Sequence, residues 1–206
     1  AEKVKSMMNV LSYVDGKNRH LYSDEWEEKL IDFSKTMMQQ IETLTRISNA
    51  FADFATLNNQ SPEKISLHTE IERIVHLFRN NNVRFISKDL KNPIFAMVDK
   101  SHLTRILNNL IKNSLQSEKE NIPIEVVVEL QNAKGGGLIL VKDNGSGISE
   151  KNQDKIFEPN FTTKNSGMGL GLAMVKKIID DMRGSIVYKT SKGGTIFKVL
   201  IPTTNK

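Results

Sequence analysis

Residues 143–172 read DNGSGISEKNQDKIFEPNFTTKNSGMGLGL, and the rest of the fold is organised around this stretch. Two glycine clusters bracket a segment holding Phe157, Phe161 and the pair Thr162-Thr163. The first cluster, Asp143-Asn144-Gly145-Ser146-Gly147, follows the apolar run Leu138–Val141, and Asn-Gly at that place is by itself a turn signal. The second, Gly167-Met168-Gly169-Leu170-Gly171-Leu172, opens a helical pattern from Leu170 to Met182. A glycine-rich turn feeding a helix N-terminus presents free N–H groups and the positive end of the helix dipole, a combination suited to phosphate. No Gly-Lys-Ser/Thr follows, which excludes a Walker loop, and no strand immediately precedes it, which argues against a dinucleotide fingerprint.

Working outward, Ser101 to Ser117 reads as a helix with Ser101 as its cap, and Asn109 and Asn113 fall one turn apart on one face. Asparagine is not favoured inside helices, so the pair calls for a reason. Leu67, Ile71, Ile74, Val75 and Phe78 mark another helix, and Val83–Ser87 and Pro93–Val98 read as strands. Ile124–Leu130 and Leu138–Val141 form a hairpin around Lys134-Gly135-Gly136-Gly137. Ser185–Thr190 and Thr195–Ile201 form another, joined by Lys192-Gly193-Gly194. This order predicts an α+β sandwich over residues 61–206, with helices on one face of a mixed sheet.

Residues 1–60 have a different texture. From Trp26 the apolar positions Leu30, Phe33, Met37, Leu44, Ile47, Phe51 and Phe54 alternate in steps of four and three, interrupted only at Gln40. That is a heptad seam, which needs partner helices. Ser23 or Asp24 starts this helix and Asn58-Asn59-Gln60-Ser61-Pro62 ends it, giving a rod of ~50 Å at 1.5 Å per residue. Val4, Met7, Met8, Leu11 and Val14 mark a shorter amphipathic segment before a turn at Asp15-Gly16. At ~21 Å it is too short to cover the rod, so either another chain covers the remainder or the first helix begins further upstream, and a truncated helical hairpin is expected.

The bulk figures set limits. Of the 206 residues 38% are hydrophobic and 26% charged, the balance of a folded globular protein and not of a disordered one. Without cysteine there can be no disulfide, thiolate nucleophile or cysteine zinc site. No apolar run reaches the ~18 residues of a membrane span, so no membrane segment is expected in this chain and a cytoplasmic location is the simplest reading, although a full-length protein could be anchored elsewhere. Residues 61–206 carry 22 Lys/Arg against 15 Asp/Glu, but the lysines are scattered and do not specify nucleic acid.

Taken together, the segments resemble the ATP-binding domain of sensor histidine kinases, within the wider ATPase group that includes gyrase B, MutL and the ninety-kilodalton heat-shock chaperone. Asn108-Asn109-Leu110-Ile111-Lys112-Asn113 resembles the N box and Asp143–Gly147 the G1 box. Phe157–Thr163 is similar to the F box, Gly167–Leu172 to the G2 box, and Gly193-Gly194-Thr195 to the final glycine–threonine element. The stalk is similar to the second helix of the kinase dimerisation domain, and the whole looks most like the nitrogen-regulation type. The resemblance implies a two-component kinase that uses ATP and Mg²⁺, forms a homodimer through the stalk, and serves a response regulator receiver domain.

The resemblance also assigns roles. Asp143 would accept from the adenine amino group, and Asn113 would give its side-chain oxygen to Mg²⁺, supported by Asn109. Gly145, Gly147, Ile148 and Thr195 would shape the adenine pocket. Gln116, Thr162, Thr163 and Lys164 would lie near the phosphates. Gly167, Gly169, Leu170, Gly171 and Leu172 would let a lid fold over them, with Phe157 and Phe161 as lid anchors or core residues. Ser114, where the family commonly has alanine, is expected to be harmless. Lys164 is the sole cation between Thr163 and Gly167, so phosphate neutralisation is expected to be weaker than in relatives.

The phosphoacceptor is the gap. The family's acceptor histidine is followed directly by an acidic residue, and none of His20, His68, His76 and His102 is. All four therefore read as surface or core histidines, and the histidine-bearing segment is expected to be removed or replaced. Two other readings stay open at this level. One is a nucleotide-binding pseudokinase or scaffold without transfer. The other is a gyrase- or MutL-like ATPase, against which the N-terminal stalk counts.

Overall fold

The computed structural model describes residues 24–55, 61–88, 93–117, 122–164 and 168–203. The chain divides into two compact units, Ala1–Phe51 and Ala52–Lys206. The expected short helix at Val4–Val14, the turn at Asp15, His20 and the Ser23 cap lie outside the described residues.

Helix α1 (Asp24–Ala55) has 32 residues and contains all of the first unit's described residues. Thr36 and Thr45 turn their hydroxyls back onto the carbonyls of Asp32 and Ile41, four residues earlier, so these polar groups are satisfied within the helix. The seam positions Leu30, Phe33, Met37 and Leu44 are exposed in the single chain, Leu44 by 65%. The side chains of Trp26, Ile47, Phe51 and Phe54 lie outside the described set.

The second unit runs β1 (Glu63–Ser66), α2 (Leu67–His76), β2 (Val83–Ser87), β3 (Phe95–Val98), α3 (Lys100–Leu115), β4 (Val126–Ala133), β5 (Gly136–Asp143), α4 (Glu150–Gln153), α5 (Gly171–Asp181), β6 (Ser185–Ser191) and β7 (Gly194–Pro202). Five strands form one sheet in the order β2-β4-β5-β7-β6. β2 runs parallel to β4, and every other pairing in the sheet is antiparallel. The sheet is therefore mixed, as the element order implies. β1 and β3 make a separate two-stranded antiparallel sheet, with Ile65 opposite Ala96.

Strand alternation decides which face carries the helices. Val126, Val128 and Leu130 of β4, Ile139 and Val141 of β5, and Phe197, Val199 and Ile201 of β7 enter one core with α2, α3 and α5. Helix α3 anchors it: Leu103, Ile106, Leu107, Leu110 and Ile111 are completely buried. At about 1.5–3 kcal/mol for each fully buried side chain, this apolar face fixes the helix that carries Asn109 and Asn113. The opposite sheet face carries Glu129, Lys142 and Lys198.

Several boundaries differ from the sequence reading. Helix α3 begins at Lys100 and its cap is Asp99, not Ser101; the Asp99 carboxylate accepts from the Ser101 N–H at 2.7 Å and from the Ser61 N–H at 3.0 Å. The hairpin strands are longer than expected, because Ala133 pairs with Gly136 and leaves only Lys134 and Gly135 in the turn. Gly136 and Gly137 belong to β5 instead. A Cβ on Gly136 would lie 2.0 Å from the Ile201 carbonyl oxygen, and one on Gly137 2.5 Å from Leu67 Cδ1. These two glycines permit close packing; the turn itself needs only Gly135, at φ +93°.

Candidate functional site

The site forms where the end of β5 meets the C-terminal end of α3 and the start of β7. Val126 of β4 pairs with Asp143, so Asp143 shares the helical face of the sheet. Its Oδ1 accepts from the N–H of Gly145 at 3.0 Å and the N–H of Thr195 at 3.1 Å, with the Ser117 hydroxyl at 3.5 Å. Its Oδ2 accepts from the Ser114 hydroxyl at 3.0 Å. A carboxylate has about four lone-pair positions. Among the described residues every donor to Asp143 is neutral, and Oδ2 has one partner, so this oxygen can take a further donor.

Ser114 is 2% exposed and aims its hydroxyl at the central carboxylate, a donor that alanine would not supply. The glycines around Asp143 are required by contact. A Cβ on Gly145 would sit 2.0 Å from Ser117 Oγ, and one on Gly147, at φ +78°, 2.0 Å from the Ser191 carbonyl oxygen. Thr190, which sequence reasoning missed, ties the loop to the last hairpin. Its hydroxyl accepts from the Ile148 N–H at 2.8 Å and lies 3.1 Å from the Thr195 hydroxyl.

Asn109, Asn113 and Gln116 line one side of α3, at spacings of four and three. Asn109 donates to the Arg105 carbonyl at 2.9 Å, the preceding turn of its own helix. Its Oδ1 faces Gly171, where a Cβ would come within 2.7 Å. The N-terminus of α5 thus packs directly on Asn109. Leu170 caps α5 without a side-chain hydrogen bond, so the cap residue does not compete for the first N–H groups of this helix. Leu172 is half-buried against the core.

Gly169, at φ +67°, places its α-carbon against the backbone of Asn160 and Phe161; an added Cβ would be 2.4 Å from the Phe161 nitrogen. This contact locks the second glycine cluster to the aromatic segment. Phe157 and Phe161 both pack on the core, with Phe157 edge-on to Tyr188 at 6.1 Å between centroids. Of the two roles open in the sequence, core packing is the one their surroundings support. Thr162 and Thr163 are exposed. The Lys164 ammonium donates to Asn113 Oδ1 at 3.2 Å and to Gln116 Oε1 at 2.8 Å, and burial without a carboxylate partner pushes its pKa down. Gly167 lies outside the described residues.

The three described histidines stand in helices of the second unit. His68 packs edge-on to Phe85 at 5.2 Å, and His102 is 3% exposed, its pKa lowered chiefly by burial. Among the described residues no cluster of three or more His, Asp or Glu could hold a metal ion, so a cation at Asn113 would draw most of its oxygens from elsewhere. No helix among the described residues is long and apolar enough to cross a membrane.

Fold and site together set glycine turns and an asparagine-bearing helix around Asp143 in an α+β sandwich. Residues 98–205 match the family of histidine kinase-, DNA gyrase B- and HSP90-like ATPases, and the chain belongs to it. The sensor histidine kinase ZraS of Escherichia coli (strain K12) is 30% identical over 176 residues, which cover 82% of this chain and 37% of ZraS. The sensory histidine kinase/phosphatase NtrB of Azospirillum brasilense is 27% identical over 188 residues, covering 82% of this chain and 46% of NtrB. This chain thus spans less than half the length of these curated relatives. The catalytic domain of the histidine kinase ThkA superposes with a TM-score of 0.59 at 28% identity, covering 69% of this chain and 96% of that domain. ThkA in complex with the response regulator protein TrrA superposes at 0.64 and 23% identity, covering 98% of this chain and 60% of ThkA, a likeness of fold.

Proposed function

We propose that this chain is the ATP-binding, catalytic part of a two-component sensor histidine kinase, with residues 1–60 forming part of its dimerisation hairpin and residues 61–206 its catalytic domain. The observation that carries the reading is Asp143, a carboxylate held only by neutral donors at the floor of a glycine-lined loop. Its open Oδ2 position accepts the exocyclic amino group of adenine, a donor that guanine does not offer there. Gly145, Gly147, Ile148 and Thr195 shape the base pocket, and Gly169–Leu172 deliver the α5 N-terminus to the phosphates.

Asn113 fits a metal position, since its Oδ1 already accepts a cationic donor from Lys164. Mg²⁺ keeps waters and phosphate oxygens, and one protein oxygen suffices. When bound, it neutralises charge on the phosphates. Asn109 holds α5 in place beside it, Gln116 and Lys164 stand at the phosphate end, and Thr162 and Thr163 border the opening. In the transfer step a histidine imidazole nitrogen bonds to the γ-phosphorus while the bond from that phosphorus to the β–γ bridging oxygen breaks. ADP leaves with the electron pair, and the imidazole proton passes to solvent. The work of the chain is positioning and charge stabilisation.

The acceptor histidine comes from outside the residues present here. Incubation with γ-phosphate-labelled Mg-ATP and a histidine-bearing kinase hairpin from a relative should place acid-labile, base-stable label on the hairpin and none on this chain. Label on His20, His68, His76 or His102 would overturn the acceptor assignment, and no label on either protein would overturn the kinase reading. The exposed Leu30, Phe33, Met37 and Leu44 support a homodimer through α1. Leu44→Asp should give monomers by light scattering, and a dimer that persists would remove the stalk as the interface. The full-length protein then works at the cytoplasmic side and passes phosphate to a response regulator receiver domain, as the ThkA–TrrA complex leads one to expect.

A further inference from the structure

Thr190 and Thr195 stand opposite each other across the hairpin of β6 and β7. By strand alternation both side chains share the helical face of the sheet with Tyr188 and Phe197, the face that also carries Asp143. The two hydroxyls lie 3.1 Å apart. Thr190 Oγ1 also accepts from the Ile148 N–H at 2.8 Å, and the Thr195 N–H donates to Asp143 Oδ1 at 3.1 Å. A hydroxyl has one hydrogen to give and two lone pairs. The pair thus holds two hydrogens and shares one bond, and among the described residues neither hydroxyl has another acceptor. One hydrogen is left over for a group that these residues do not supply. An oxygen that accepts a hydrogen bond becomes the better donor. Thr190 takes the Ile148 N–H, so the chain of bonds runs from Ile148 to the Thr190 hydroxyl and on to Thr195 Oγ1. The spare hydrogen then belongs to Thr195, whose own N–H is tied to Asp143.

We propose that Thr190 is a positioning residue that fixes the Thr195 hydroxyl as a hydrogen-bond donor to the bound base, giving the site a second base-reading contact beside Asp143. The inference rests on the adenine reading given above. Asp143 offers an acceptor and Thr195 a donor, and the bond from the Thr195 N–H to the carboxylate holds the two side by side. Adenine matches that pair: its amino group is a donor, and the ring nitrogens N1 and N7 on either side of it are acceptors. Guanine has a carbonyl in place of the amino group and a hydrogen on N1. Without the Thr190 hydroxyl, Thr195 Oγ1 receives no donor from the β6 strand and the Ile148 N–H loses its acceptor. The Thr195 hydroxyl is then free to turn, and its lone pairs face the base as readily as its hydrogen does. Thr190 acts through Thr195 and Ile148 and not on the base itself.

The test is calorimetric titration with the Mg²⁺ complexes of ADP, 1-deaza-ADP, 7-deaza-ADP and purine riboside diphosphate, the last lacking the amino group. The unaltered protein should bind one of the two deaza analogues about fivefold or more less tightly than ADP, because a C–H replaces the acceptor and leaves the Thr195 hydrogen unpaired. Thr190→Val keeps the branched shape of the side chain and removes the hydroxyl. It should weaken ADP by about threefold or more and shrink the gap between ADP and that deaza analogue to within about twofold. The gap between ADP and purine riboside diphosphate, which Asp143 reads, should remain. Thr190→Ser should restore the deaza gap, and Thr190→Ala takes the place of Thr190→Val if the latter does not fold. Equal affinity of the unaltered protein for ADP and both deaza analogues would overturn the proposal. So would a Thr190→Val protein that binds every one of these nucleotides more weakly by the same factor, the result that mere support of the loop would give. An unaltered protein that binds no ADP would instead strike the adenine reading, and the proposal with it.

Discussion

Two carboxylates sit on the central hairpin, Glu129 in β4 and Asp143 at the end of β5, on opposite faces of the sheet. Glu129 is 2% exposed and accepts from the ammonium groups of Lys142 and Lys88, the latter at 3.2 Å, and from the Gln131 amide. These partners, Lys142 first, hold its carboxyl down at about 2 against the ordinary 4.5. Asp143 accepts only from two hydroxyls and two backbone N–H groups. The first carboxylate is neutralised in place and has no use for another ligand. The second is oriented without being neutralised, and it keeps an open acceptor position beside the glycine turns. Partners of one kind make a carboxylate part of the scaffold, and partners of the other kind make it a recognition group.

Exchanging the chemistry of each should separate the two roles. Asp143→Asn keeps the shape and the N–H contacts of Gly145 and Thr195 but turns an NH₂ donor toward the incoming adenine amino group. ADP affinity by calorimetry should fall by about 100-fold or more, because a site built to accept one hydrogen bond then faces a donor. The melting temperature should change little. Retained affinity would place adenine elsewhere.

Glu129→Gln should do the reverse. It removes a charge-assisted hydrogen-bond acceptor whose lysine partners are partly exposed and can return to water, so a loss of about 1–3 kcal/mol in denaturant unfolding is expected, with ADP affinity intact. The pH dependence has a definite sign. A folded-state pKa depressed from 4.5 to about 2 gives stability that is complete above pH 4.5 and is lost as pH falls toward 2. Glu129→Gln should flatten that acid limb, and an unchanged acid limb would show that Glu129 does not carry it. The smallest effect should come from Ser114→Ala, which takes one neutral donor from Asp143 Oδ2. About 0.5–1.5 kcal/mol, read as a several-fold loss of ADP affinity, is the expected scale for one such hydrogen bond.

The chemistry-bearing segments were legible in the sequence because glycine and buried polar residues are constrained at each position where they stand. Asn109, Asn113, Asp143 and the described glycines of the two clusters stand on α3, β5 and the approach to α5. What escaped detection depends on contacts distant in sequence. Ser114 and Thr190 reach Asp143 and Ile148 from 29 and 42 residues away, and nothing local marks them. β1 has only four residues, too short for alternation to register, so its pairing with β3, itself legible within Pro93–Val98, was not. Gly136 and Gly137 read as loop because a glycine run is the commonest loop signal, yet they are set by the approach of Leu67 and Ile201. Asp99 displaced Ser101 as the cap of α3 because its carboxylate satisfies two N–H groups, one of them on Ser61.

The central claim is that Asp143 selects adenine through a single open acceptor position. Calorimetric titration of the unaltered protein with Mg-ADP and with Mg-GDP tests it most directly. The account predicts binding of Mg-ADP and at least about 100-fold weaker binding of Mg-GDP, whose carbonyl would meet the Asp143 carboxylate with no donor between them. Equal affinity for the two nucleotides would contradict it.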